Sequence, residues 1–130
     1  MDTPNCDVLV VDDEIDTLFL ARKILEKNNY TVKTATNGME ALGMIRKGTA
    51  LPRLILLDLM MPKGDGWYVL ETLKKNEELK SIKVIIFTVK SFTKDIDKAK
   101  ALGADNYLTK PFRAEKLVEF VRERLKENSP

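Results

Sequence analysis

Residues 8–14 read VLVVDDE: four apolar side chains run without interruption and stop against two adjacent aspartates, Asp12 and Asp13. A short unbroken run of this kind suits a strand buried on both faces, as in a parallel sheet, better than one with a wet face, which would alternate. The figure returns at residues 54–57, LILL, which end against Asp58, and at residues 84–87, VIIF, which end against Thr88. Residues 107–108 form a weaker run ahead of Lys110. Residues 31–35 alternate and carry β-branched side chains, the pattern of an edge strand. Five strands are expected.

Stretches of helical period separate them. In residues 114–126, Leu117, Phe120, Val121 and Leu125 fall on one face, and residues 15–27 repeat the pattern. Asn37 with Glu40 three positions on predicts an N-cap and capping box, opening a helix that Gly48 closes. Trp67, Leu70 and Leu73 or Lys74 mark a third helix, behind an Asp65-Gly66 turn. Residues 93–102 with Gly103 behind them mark a fourth. Strand and helix alternate throughout, which predicts an α/β doubly wound sheet with right-handed crossovers and ligands bound beyond the carboxyl ends of the strands.

The chain has 130 residues, close to the commonest single-domain size, so one domain over 1–130 is expected, with a core at about 7–126 and a polar tail at 127–130. At 44% apolar and 32% charged residues it has the composition of a folded globular protein rather than a disordered one. Its apolar runs fall far short of the ~20 residues that cross a bilayer, and residues 1–6 lack a basic-then-apolar leader, so neither membrane nor export is expected. The one cysteine, Cys6, cannot close an internal disulfide, which fits a reducing cytoplasm. With no histidine, the commonest metal ligand is missing. Lys and Arg total 22 against 20 acidic residues and are scattered, so binding to nucleic acid by bulk charge is not expected.

The chemistry lies where charge meets the strand ends. Asp12, Asp13 and Asp58 end neighbouring strands of the expected sheet, and three carboxylates so placed repel one another unless a cation joins them or a pKa rises. Oxygen ligands alone favour Mg²⁺, which takes few carboxylates and readily accepts a phosphate oxygen. Lys110 and Thr88 reach the same rim with an ammonium and a hydroxyl suited to phosphoryl oxygens. The three aspartates and Lys110 carry a formal charge of −2, which one Mg²⁺ cancels, so that an anionic phosphodonor can approach. The chemistry that fits is in-line transfer of a phosphoryl group to Asp58, driven by positioning and electrostatics.

The chain resembles the response-regulator receiver family over residues 7–125. The likeness rests on residues 11–14 (VDDE), 58–66 (DLMMPKGDG), 87–88 (FT) and 109–112 (TKPF). The resemblance implies a flavodoxin-like five-stranded parallel sheet of order 2-1-3-4-5 with five helices, and a role in two-component phosphorelay rather than as a turnover enzyme. By the same likeness Asp58 accepts a phosphoryl group from a sensor histidine kinase. Mg²⁺ is held by Asp58, by the backbone carbonyl of Met60 and by Asp12 or Asp13, with Asp13 the favoured direct ligand and Asp12 direct or through water. Thr88 and Lys110 contact the phosphoryl group, and the Lys110–Pro111 bond is cis, a form that X-Pro bonds alone adopt cheaply. The likeness also implies a switch in which Thr88 moves towards the phosphate and Tyr107 turns inward; read from the residue alone, Tyr107 is equally a core side chain. The face formed by helix 4, strand 5 and helix 5 then meets a downstream protein target or a histidine phosphotransfer protein.

One position departs from the family. After its Thr or Ser the family usually has a very small residue, and this chain has Val89, with Lys90 following. Both are expected as an access gate that slows phosphoryl entry and hydrolysis. Three other readings compete. A phosphohydrolase with an aspartyl-phosphate would carry an acid two residues after its nucleophile, where this chain has Met60. A flavodoxin-like cofactor binder would have a Gly- or Ser-rich loop in place of Asp12-Asp13-Glu14. A binding-only pseudo-receiver would lack some of the five site residues.

Overall fold

The computed structural model describes residues 3–62, 65–89 and 93–126. Five strands and five helices alternate: β1 (Cys6–Val11), α1 (Ile15–Lys27), β2 (Val32–Ala35), α2 (Gly38–Lys47), β3 (Pro52–Leu57), α3 (Asp65–Lys75), β4 (Lys83–Thr88), α4 (Thr93–Ala101), β5 (Asn106–Thr109) and α5 (Ala114–Lys126). All strand pairs are parallel, in the order β2-β1-β3-β4-β5. The doubly wound sheet expected from the sequence is therefore present.

Strand residues divide by parity between two cores. Leu9, Val11, Ile55, Leu57, Val84 and Ile86 face α2 and α3, where Leu42, Ile45, Leu70 and Leu73 are buried. Val8, Val10, Leu54, Leu56, Ile85 and Phe87 face α1 and α5 and meet Leu18, Leu25, Leu117 and Val121. Because both faces of each central strand are covered, the runs are apolar throughout. A buried side chain of this size contributes roughly 1.5–3 kcal/mol, so neither layer is dispensable.

The strands extend beyond the apolar runs. β3 begins at Pro52-Arg53, where Arg53 Nη1 donates to Asp7 Oδ1 at 3.2 Å and Nη2 donates to the Leu125 carbonyl at 3.0 Å. A polar strand start is stable there because its charge has partners, which a count of apolar residues does not register. α2 opens as expected, with the Asn37 side chain accepting from the Glu40 N–H at 2.8 Å, and ends at Gly48 with φ 79°. The reciprocal half of the capping box differs, since the Glu40 carboxylate accepts from Thr36 N–H at 2.6 Å, one residue upstream of the cap. α3 also differs: Asp65 and Gly66 are its first two residues and not a preceding turn. α4 buries only Ala99, and its Lys98 ammonium lies 4.3 Å from the Trp67 ring centroid on α3.

Candidate functional site

Register brings the site together. Val11 pairs with Leu57, so Asp12 and Asp58 leave β1 and β3 at the same level, and Asp58 N–H donates to the Val11 carbonyl at 3.1 Å. Thr88 pairs with Thr109, which places Lys110 one residue beyond that rung, its N–H donating to the Thr88 carbonyl at 2.9 Å. Asp12, Asp13 and Asp58 thereby offer carboxylate oxygens that all lie within 4.8 Å of one another. Asp12 is fully buried, Asp58 is 4% exposed, and Asp13 is exposed at the mouth.

Backbone donors orient the two buried carboxylates. Glu14 N–H donates to Asp12 Oδ1 and Met60 N–H donates to Asp58 Oδ1, each at 2.9 Å. The other oxygens turn to Lys110, whose Nζ lies 2.6 Å from Asp12 Oδ2 and 3.3 Å from Asp58 Oδ2, and also 3.3 Å from Glu14 Oε1. Lys110 Nζ also lies over the Phe87 ring, 4.8 Å from its centroid. The Lys110–Pro111 peptide is cis.

The Lys110 ammonium, shared among three carboxylates, does not fully offset the burial of Asp12. Desolvation pushes the Asp12 carboxyl above its usual range, with the nearby Asp58 charge adding to it, although Lys110 and the Glu14 N–H pull the other way. Burial also acts to lower the pKa of Lys110, but its bond to Asp12 and the charges of Asp58 and Asp12 outweigh this and raise it. At the end of β4, Thr88 is fully buried and its hydroxyl has no hydrogen-bond partner among the described residues. A buried polar atom in that state costs free energy unless something binds it.

A pocket of about 280 Å³ opens over this group, lined by Asp13, Glu14, Asp58, Met60, Val89 and Lys110. The cluster of Asp12, Asp13 and Asp58 offers oxygens only, and two of its three carboxylates are nearly or fully buried, a set that fits a small hard dication better than Zn²⁺. Val89 is 65% exposed and stands at the mouth. Tyr107 is half-buried against the α2–α3 core, and its hydroxyl pKa is raised by burial first and then by Asp95 and Asp58. Lys90, the tail at 127–130, and Lys63 and Gly64 of the 58–66 run lie outside the described residues.

Two residues matter more than their sequence context suggested. A Cβ on Gly66 would lie 2.3 Å from the Asp58 carbonyl oxygen and 2.5 Å from Leu59 Cα, so the bare glycine lets α3 pack against the backbone that carries Asp58. Glu14, which follows the two aspartates as a third acid, is a direct partner of Lys110.

The chain belongs to the response regulator receiver domain family, whose model matches residues 8–122. Protein PilG of Pseudomonas aeruginosa is 36% identical over 115 residues, covering 88% of this chain and 84% of PilG. The alkaline phosphatase synthesis transcriptional regulatory protein PhoP of Bacillus subtilis is 40% identical over 108 residues, covering 83% of this chain and 43% of PhoP. The sensor histidine kinase CheAY of Helicobacter pylori is 33% identical over 119 residues, 92% of this chain but 15% of that protein. The chain thus spans less than half of PhoP and of CheAY. Among solved structures, the receiver domain of a Francisella response regulator superposes with a TM-score of 0.85 at 32% identity, covering 96% of this chain and all of that one. A CheY-like receiver domain protein from Methanospirillum hungatei gives 0.84 at 30% identity, covering 94% of each.

Proposed function

We propose that Asp58 accepts a phosphoryl group from the phosphohistidine of a sensor kinase, with Mg²⁺ held at Asp12, Asp13, Asp58 and the Met60 carbonyl. The observation that carries this reading is Lys110 Nζ lying between Asp12 and Asp58 beside three clustered carboxylates, with the orphaned Thr88 hydroxyl at the end of the neighbouring strand. When bound, the ion supplies charge neutralisation for the carboxylates and the incoming phosphoryl oxygens.

The residues of the chain do the rest. Asp58 needs no general base, because an ionised carboxylate attacks directly and the leaving nitrogen of the donor imidazole departs with the electron pair of the broken P–N bond. Met60 N–H holds one Asp58 oxygen in place. Lys110 pairs with the phosphoryl oxygens, which bring roughly −1.5 to −2 charges, and the Thr88 hydroxyl donates to one of them. That last bond relieves the one buried polar side-chain atom left unpartnered among the described residues. Movement of Thr88 makes room for the Tyr107 ring, and the α4–β5–α5 face shifts its preference for a downstream protein or a histidine phosphotransfer protein. The weak anchoring of α4, through Ala99 and the Lys98–Trp67 contact, favours such a shift. A cytoplasmic setting fits the single buried cysteine, and no helix among the described residues is long and apolar enough to cross a membrane.

Val89 supports the gate reading by its place at the pocket mouth. Val89→Ala is expected to shorten the half-life of the aspartyl-phosphate severalfold, by opening the path for water; equal half-lives in ³²P-decay measurements would remove the gate. The proposal as a whole is tested by phosphotransfer from a kinase to wild type and to Asp58→Asn, with the label expected on wild type alone.

A further inference from the structure

Glu14 has no part in the mechanism above, yet its carboxylate holds the third N–H of Lys110. A lysine ammonium has three donors, and here each faces a different carboxylate: Asp12 at 2.6 Å, Asp58 at 3.3 Å and Glu14 at 3.3 Å. Glu14 differs from the other two in being 63% exposed and lying at the mouth of the acceptor pocket. The usual structural use of a polar side chain at its position is to cap the following helix. Glu14 is the N-cap residue of α1, but its side chain makes no cap hydrogen bond. Its pairing with Lys110 still leaves the group with an excess of negative charge. The three aspartates and Lys110 reach neutrality with one divalent ion, so Glu14 leaves the mouth one charge negative.

We propose that Glu14 is a specificity-determining residue that selects phosphodonors by charge. It competes with the phosphoryl group for Lys110 and repels small anionic donors in proportion to their charge. This inference rests on Asp58 being the acceptor. Acetyl phosphate brings about two negative charges to the site, whereas phosphoramidate brings about one, because its nitrogen is protonated. In both reactions an Asp58 oxygen forms a bond to phosphorus. The P–O bond to acetate breaks in one and the P–N bond to ammonia in the other, and the leaving group takes the electron pair. Neutralising Glu14 weakens the hold on a Lys110 N–H for either donor, but lifts the repulsion more for the more highly charged one.

The test measures the rate constants for both donors, in Mg²⁺, for wild type, Glu14→Gln and Glu14→Asp. In Glu14→Gln the ratio of the acetyl phosphate to the phosphoramidate rate constant is expected to rise roughly two- to fivefold. Glu14→Asp, which keeps the charge, should stay near the wild-type ratio. In 1 M salt, where the screening length falls to about 3 Å, the Glu14 repulsion is screened and the wild-type ratio should rise towards that of Glu14→Gln. A ratio unchanged in Glu14→Gln, altered equally in Glu14→Asp, or differing from wild type as much in 1 M salt as in dilute buffer overturns the inference while leaving Asp58 as acceptor. If neither donor modifies Asp58 in any of the three proteins, the reading of Asp58 fails and the inference with it.

Discussion

Gly66→Ala is expected to lower the unfolding free energy by about 3 kcal/mol, read from the urea midpoint at constant slope. Two effects oppose each other at this helical position. Alanine is the better helix former by about 1 kcal/mol. Against this, its Cβ would lie 2.3 Å and 2.5 Å from atoms of the Asp58 and Leu59 backbone, which cannot swing aside as a side-chain tip can. Either α3 backs away or the loop carrying Asp58 moves, so phosphoryl acceptance should fall together with stability. Gly43 in α2 is the control, since a Cβ there meets nothing within 4 Å. Gly43→Ala should therefore be stabilising, by up to about 1 kcal/mol. If the two substitutions have the same effect, close packing of α3 on the loop that carries Asp58 is not what Gly66 provides.

Lys110→Met is expected to cost about 3 kcal/mol in metal-free buffer, because it leaves the fully buried Asp12 without the cation 2.6 Å away. Mg²⁺ should return much of that loss, as a divalent ion takes over the role of countercharge, while phosphoryl acceptance stays low for want of the ammonium. The pH dependence follows from the signs of the two shifts. Lys110 has a folded pKa raised above its ordinary 10.5, so its contribution in the wild type is complete at neutral pH and is lost only as alkali carries the pH through the folded value. Asp12, also raised, binds its proton more tightly folded than unfolded, so its charge costs stability as pH rises through the folded value. Without Lys110 that cost grows, and the variant should be more stable in mildly acidic than in neutral buffer. Thermal melts with Mg²⁺ or chelator at both pH values read all three effects; a variant indifferent to Mg²⁺ would mean that Lys110 and the ion do not share a role.

The fold was legible because the central strands are covered on both faces. With Val8, Leu54 and their neighbours fully buried, each apolar run lies within a strand, and the acids that follow the first and third strands mark the rim. The exact helix bounds Ile15–Lys27 and Ala114–Lys126 were legible for the same kind of reason, one apolar stripe facing one core. Strand starts such as Pro52-Arg53 were not, because they depend on partners distant in sequence, Asp7 and the end of α5. At the site, Asp12, Asp13, Asp58, Thr88 and Lys110 could be named from their positions after strands. The importance of Gly66 could not, since a close backbone approach leaves no mark beyond the glycine itself. Glu14 was visible as a third acid, but its bond to Lys110 depends on how β5 lies across the sheet from β1.

The most direct measurement is the intact mass of the protein after incubation with Mg²⁺ and acetyl phosphate, beside Asp58→Asn and an Mg²⁺-free sample. A single phosphoryl adduct on wild type, absent from both controls, is the predicted result. An adduct that persists in Asp58→Asn, or one that forms equally well without Mg²⁺, would contradict it.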